Sequence, residues 1–216
     1  MKKTIFLLLF VAVCMSCTKG AGSANSATST AAGNAVAEDS QAADVDDFTT
    51  SDLKAYFLHG HVKSVKSYGP EGEFPPVLLS DVSFTQDGEL IPGDQENFER
   101  DANGRLTTVT IEPWEEYYEY NSDGTLKSWA TMRGSSTASY DFQLNAEGMP
   151  ISADYEGDSH GNGVNGRCVY TILDSDEKGN WTKIKVKSTV TTTDWEGNPG
   201  TTETRTDVCV RKITYY

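Results

Sequence analysis

Potential metal ligands are densest in the stretch Asp154-Tyr155-Glu156-Gly157-Asp158-Ser159-His160-Gly161-Asn162-Gly163. Alternating oxygens separated by glycines can curl around calcium, which takes about six to eight of them. His160 adds a nitrogen of the kind zinc prefers. Asp154, Glu156, Asp158 and His160 are therefore the candidate metal set, and a metal-assisted hydrolase is the chemistry they would serve. The plainer reading is a solvated hairpin loop made of turn residues. His59-Gly60-His61 would turn both rings to one side if the backbone were extended, but Gly60 is better placed to end a helix, which breaks that geometry. Glu115 and Glu116 form a carboxylate pair, yet in so acidic a chain a pair without a pocket cannot be assigned acid and base roles.

Other chemistry-bearing patterns are missing or fail on inspection. Asp174-Ser175-Asp176-Glu177-Lys178-Gly179 imitates the start of a calcium loop, but Lys178 stands at a ligand position and Lys185 replaces the closing Glu. No Gly-x-Ser-x-Gly elbow, phosphate loop, His-Glu-x-x-His or dinucleotide fingerprint is present. The sequence thus points to no enzyme and implies no cofactor. Trp195 sits beside Glu196-Gly197-Asn198-Pro199 at a predicted hairpin tip, and Trp114 follows Pro113. These two are the candidate ligand-binding aromatics, suited to stacking on a sugar or an extended peptide; the remaining tyrosines and tryptophans read as core. Cys168 and Cys209 are a possible disulfide. Hairpin turns near Gly179 and Gly197 would put both opposite Val186 on flanking strands, about 10 Å apart, where a disulfide wants Cα atoms within about 7 Å. Buried free thiols are the simpler outcome.

The amino terminus carries an address. Lys2 and Lys3 precede an apolar run from Ile5 to Val13, and Ser16 stands directly before Cys17. A bilayer span needs about 20 apolar residues, roughly twice this run. The segment resembles a bacterial lipoprotein signal, with Cys14 and Met15 departing from the usual pattern. That resemblance implies export, cleavage after residue 16, lipid on the Cys17 thiol, and a place in the bacterial cell envelope, on the outer membrane or a periplasmic face. Ordinary secretion with cleavage near Ala24 is the alternative.

From Cys17 to Asp47 the composition is Ala, Ser, Gly, Thr and Asn with acids gathering at the end, and no aromatic appears before Phe48. Such a stretch is expected to be a disordered linker. About 30 residues of this kind reach about 30 Å. The chain's formal charge is -14, with 18 basic and 32 acidic residues. No basic stripe is evident along the sequence, so nucleic acid and direct adsorption to anionic lipid are both disfavoured as partners. The expected attachment is through the lipid anchor, with a glycan or an envelope protein as the further partner.

Residues 48–216 are expected to form a single domain. Thr50 or Ser51 can cap a short helix whose Leu53, Tyr56 and Phe57 share a face, with Gly60 ending it. Everything afterwards alternates with period two, as in Val82-Ser83-Phe84, Tyr118-Glu119-Tyr120 and Ile184-Lys185-Val186-Lys187. Asp-Gly or Asn-Gly turns recur at Gly88, Gly104 and Gly124, with looser copies at Gly148 and Gly179. Their spacing is roughly 16, 20, 24 and 31 residues. Each pair is expected to supply the positive φ of a tight hairpin.

The expected fold is therefore all-β. It is an antiparallel hairpin meander of about ten strands, a strongly twisted sheet or open barrel, with aromatics on its concave side. The unit Tyr118-Glu119-Tyr120-Asn121-Ser122-Asp123-Gly124-Thr125-Leu126 resembles the YD-type repeats of RHS proteins, over about Val62 to Trp181. The resemblance implies a structural or binding scaffold without inherited catalytic residues. The functional expectation is a membrane-tethered, non-catalytic binding or structural module. A hydrolase, or an acidic inhibitor or immunity-type protein, stands as the alternative.

Overall fold

The computed structural model describes residues 48–70, 78–159 and 162–216. The signal, Cys17, the linker to Asp47 and His160 lie outside these residues. The described chain forms one helix, α1 (Ser51–Ala55), and eleven strands. They are β1 (Val62–Tyr68), β2 (Leu78–Ser83), β3 (Asn97–Arg100), β4 (Leu106–Ile111), β5 (Trp114–Tyr120), β6 (Leu126–Arg133), β7 (Ser136–Leu144), β8 (Pro150–Ser159), β9 (Asn162–Ser175), β10 (Trp181–Thr193) and β11 (Pro199–Tyr215). All belong to one sheet in the order β2-β1-β11-β10-β9-β8-β7-β6-β5-β4-β3. The fold is all-β and antiparallel, with eleven strands where about ten were expected.

From β3 to β11 each strand pairs with the next, so the chain walks steadily across the sheet. The last strand then receives β1, and β2 pairs outside it. Two strands adjacent in sequence, β2 and β3, therefore form opposite edges of an open sheet. The β3 edge is only four residues long, which limits the backbone it offers for stray pairing.

The recurring turn is not the two-residue turn that Asp-Gly suggests. Only glycine takes positive φ in it: Gly88, Gly104, Gly124, Gly148 and Gly179 lie between 77 and 82°. The residue three positions earlier organises the loop. Asp101 Oδ1 accepts from the N–H groups of Asn103 and Arg105, at 2.8 and 2.9 Å. Asn145 does the same for Glu147 and Met149, and Asp176 for Lys178 and Asn180. Beside these turns the pairing slips by one residue, at Glu99/Arg100, Glu119/Tyr120 and Gln143/Leu144. This is a longer loop closed by a left-handed glycine and a bulge. The effective signal is Asx-x-x-Gly. Because alternate connections of a meander share an end, these turns line up along one end of the sheet. Strand length grows from four residues in β3 to 14 in β9, which is why the glycine spacing drifts.

α1 and its flanks lie across that end. Thr50 is the N-cap, its Oγ1 accepting from Leu53 N–H at 3.2 Å. The same hydroxyl donates to the Gly88 carbonyl, and Asn180 brackets His59 through both its backbone groups. The helix ends earlier than expected. Tyr56 is its C-cap, and Phe57 takes the left-handed conformation at φ 54° in place of Gly60. Burial of the Phe57 ring against Phe142, with centroids 5.3 Å apart, accompanies this unusual backbone. Leu53, Tyr56, Phe57 and Leu58 thereby fill the concave face. They meet a row of cross-strand partners, Trp129, Tyr140 and Tyr155, whose ring centroids are 5.3 and 4.9 Å apart. Aromatics line the concave side, as the pattern implied.

Candidate functional site

The predicted metal segment is not a loop. β8 runs through Asp154, Glu156 and Asp158 to Ser159, so the three carboxylates occupy alternate positions on one face of one strand. That spacing sets neighbouring Cα atoms about 6.8 Å apart and aims the side chains in parallel, not at a common point. Asp154 is committed to Arg167, with Oδ1 accepting from Nη1 at 2.9 Å. No group of three potential metal ligands occurs among the described residues. Asp174 to Gly179 ends β9 in an ordinary Asx-x-x-Gly turn.

Trp195 is 77% exposed at the tip joining β10 and β11, as expected. Trp114 is half-buried, with the Arg133 guanidinium 4.4 Å over its ring, and so is less available for stacking. Cys168 and Cys209 are buried free thiols, and no disulfide joins them. The register shows why: Cys168 faces Ser188 and Cys209 faces Ile184 on the intervening strand β10. They lie two strand spacings apart and are offset four residues along it, farther than Val186 as a shared neighbour would have set them. Burial pushes the Cys209 thiol pKa up to about 12, the nearby Asp207 adding to the effect, which keeps it protonated and unreactive.

Two strongly perturbed groups on the concave face were not singled out by the sequence. Glu116 is buried on β5 between Trp114 and Tyr118. Its Oε2 accepts from the Tyr118 hydroxyl and, at 3.4 Å, from Trp129 Nε1. Burial pushes its carboxyl up to about 7, against the opposing pull of those two donors. Arg211 is buried on β11, its guanidinium carbon 3.5 Å over the Trp181 ring. Its Nε and Nη1 have no hydrogen-bond partner, and neither does Oγ of Ser67, which faces it on β1, or of Ser80 beyond. Burial pushes the guanidinium pKa well down, though arginine stays protonated in proteins. Extending the visible alternation of Tyr118-Glu119-Tyr120 back by two residues would have placed Glu116 inside. Cys209-Val210-Arg211 would have done the same for Arg211.

The outer face is divided by charge. On β3 to β8 it carries Glu99, Glu115, Glu119, Asp141, Asp154, Glu156 and Asp158, with Lys127 bound to Glu119. On β9 to β11 and β1 it carries lysines instead. Lys183, Lys185 and Lys187 alternate with inward Ile184 and Val186 along β10, and Lys66 pairs directly with Lys212. Like charges sit opposite each other on both halves, Asp141 with Asp154 and Lys66 with Lys212, which fold stability alone does not favour.

No protein-family profile matches the sequence, and no similar protein is found among curated ones. Geometrically, the outer face suits charge pairing and the exposed Trp195 ring suits stacking. Glu116 has a pKa suited to proton transfer, but both of its donors are the protein's own core residues.

Proposed function

We propose that this chain is a lipid-anchored protein of the bacterial cell envelope, a non-catalytic module that presents its outer sheet face and the Trp195 tip to a partner. The observation that carries the reading is the filled concave face. α1, Leu58 and the Trp129–Tyr140–Tyr155 row occupy the side on which a curved sheet would otherwise hold a small molecule. A partner is then met from outside. The Lys2-Lys3 start, the short apolar run and Ser16-Cys17 supply the tether. The repeated Asx-x-x-Gly hairpins support the likeness to YD-type repeats, which would make the domain a scaffold.

Two measurements test this. The mass of the mature protein should begin at an acylated Cys17, and Cys17→Ser should move the protein from the membrane fraction to the soluble one. A mature chain with an unmodified residue 17 would overturn the anchor. Turnover of any substrate, lost on Glu116→Gln with the fold retained, would overturn the non-catalytic reading. The acidic half of the outer face favours a second reading, an inhibitor or immunity-type protein for a basic partner. Co-purification of such a partner that collapses in high salt would select it.

A further inference from the structure

We infer that the basic half of the outer face is a docking surface for an anionic lipid bilayer. The sheet assembles what the sequence scatters. Lys183, Lys185 and Lys187 run along β10, and Lys212 stands on β11 next to Lys66 on β1, all on one side. Their acidic neighbours are few. Asp81 binds Lys66 at 3.0 Å, and Asp174 faces Lys183. Lys185 and Lys187 instead face threonines and valines, namely Thr171 and Val208, and Val169 and Thr206.

The ground between the lysines is apolar. Val169 and Leu173 on β9 are 45% and 46% exposed on this side, and half-buried Val208 and Val210 continue it across β11. Lysines set among exposed aliphatic side chains suit a bilayer interface. The aliphatic groups enter the headgroup region while the ammonium groups meet lipid phosphates. A nucleic acid would want free aromatic or arginine contacts, whereas here Tyr68 lies under Lys212 and Arg167 is bound to Asp154. A second copy of the chain would have to bring its acidic half against the basic half of the first. Two sheets each wrapped around their own helix meet poorly on their outer faces. A surface larger and flatter than the domain is the better match.

The inference takes its biological setting from the lipid-anchor reading, since a leash of about 30 residues keeps the domain within about 30 Å of the bilayer. Its test does not depend on that reading. The unlipidated chain from Thr18, which keeps every described strand, is mixed with vesicles of phosphatidylglycerol and phosphatidylcholine, or of phosphatidylcholine alone. Binding is expected only to the anionic vesicles and should weaken as salt is raised. Lys185→Gln and Lys187→Gln should each reduce the partition coefficient about fivefold, and the double variant about 25-fold. Lys127→Gln, on the acidic half, should leave it unchanged. Circular dichroism verifies the sheet in each variant. Equal binding to both vesicle types, no binding to either, or indifference to the double variant would overturn the proposal. So would concentration-dependent self-association that the double variant abolishes, because the occupant would then be a second copy. A bare residue 17 in the mature protein would remove the anchor and leave the vesicle result standing.

Discussion

Glu116 and Arg211 occupy the same concave face, on β5 and β11, and are almost equally withdrawn from water at 6% and 5% exposure. Their surroundings differ sharply. Glu116 receives a phenol hydroxyl and an indole N–H, whereas Arg211 lies against the face of Trp181 and keeps two unpartnered nitrogens. Burial raises the carboxyl to about 7, so the acid can shed its charge and lie in the core as a neutral group. Arginine has no such escape. Identical burial therefore makes one end of the sheet sensitive to pH and leaves a standing unpaired charge at the other. Asp52 on α1 shows a third solution. It is buried, and its oxygens accept from both Nη groups of Arg100 at 2.7 Å and from Leu90 N–H.

The largest way to break the contrast is to put Asp52 in the position of Arg211. Arg100→Ala removes a side chain that is itself 32% exposed, but leaves behind a carboxylate only 2% exposed. Losing one partner of such a pair costs about 3 to 5 kcal/mol, and the retained Leu90 N–H sets the expectation at about 3 kcal/mol. Urea unfolding measures it. A loss under about 1 kcal/mol would mean that solvent already screens the pair.

The second sharpens the acid's side of the comparison. A carboxyl whose folded pKa lies above its unfolded value stabilises the protein fully below the unfolded pKa, and that contribution is lost as pH rises through the folded one. With Glu116 raised to about 7, the window is pH 4.5 to 7, and the loss across it is about 3 kcal/mol. Glu116→Gln keeps the shape and removes the titration. Its stability should be nearly flat across that window and above the parent's at pH 8. A parent already flat between pH 4.5 and 7 would show that Glu116 remains ionised when folded.

The sequence carried the sheet but not these charges, for a physical reason. Period-two alternation and glycines at hairpin ends are local signals, so the class, the meander and a helix cap at Thr50 or Ser51 were legible, Thr50 being the one the structure uses. Turn geometry differs from the expectation because Asp-Gly is the conspicuous local pair, whereas Asp101, Asn145 and Asp176 hold their loops from three residues before the glycine. The β8 carboxylates looked like a loop because Gly157 and Gly161 to Gly163 imitate one, although a Cβ at Gly157 would meet the Thr137 carbonyl at 3.0 Å. That glycine is there for close packing in a strand. The basic half of the outer face escaped because Lys66 and Lys212 are joined only by the pairing of β1 with β11. Such long-range register leaves no mark on either segment.

Arg211 offers the smallest and most diagnostic test. Its neighbours across β1 and β2 are Ser67 and Ser80, whose hydroxyls could accept from it but are themselves without a hydrogen-bond partner. The Trp181 ring returns part of the desolvation cost, about 2 kcal/mol at most for a buried stack. Replacing even a buried ion pair with well-packed aliphatic groups is commonly neutral or stabilising, by about 1 to 4 kcal/mol, and an unpaired charge has less attraction to lose. Arg211→Leu is accordingly expected to raise stability by about 2 kcal/mol, seen as a higher urea midpoint at unchanged slope. The gain should hold from pH 5 to pH 8, because arginine does not titrate there, in contrast to the slope that Glu116 imposes. A fall in the variant's stability, with added phosphate or acetate stabilising the parent but not the variant, would show that the guanidinium holds an anion. The two buried charges would then differ in where their partners come from, one within the chain and one outside it.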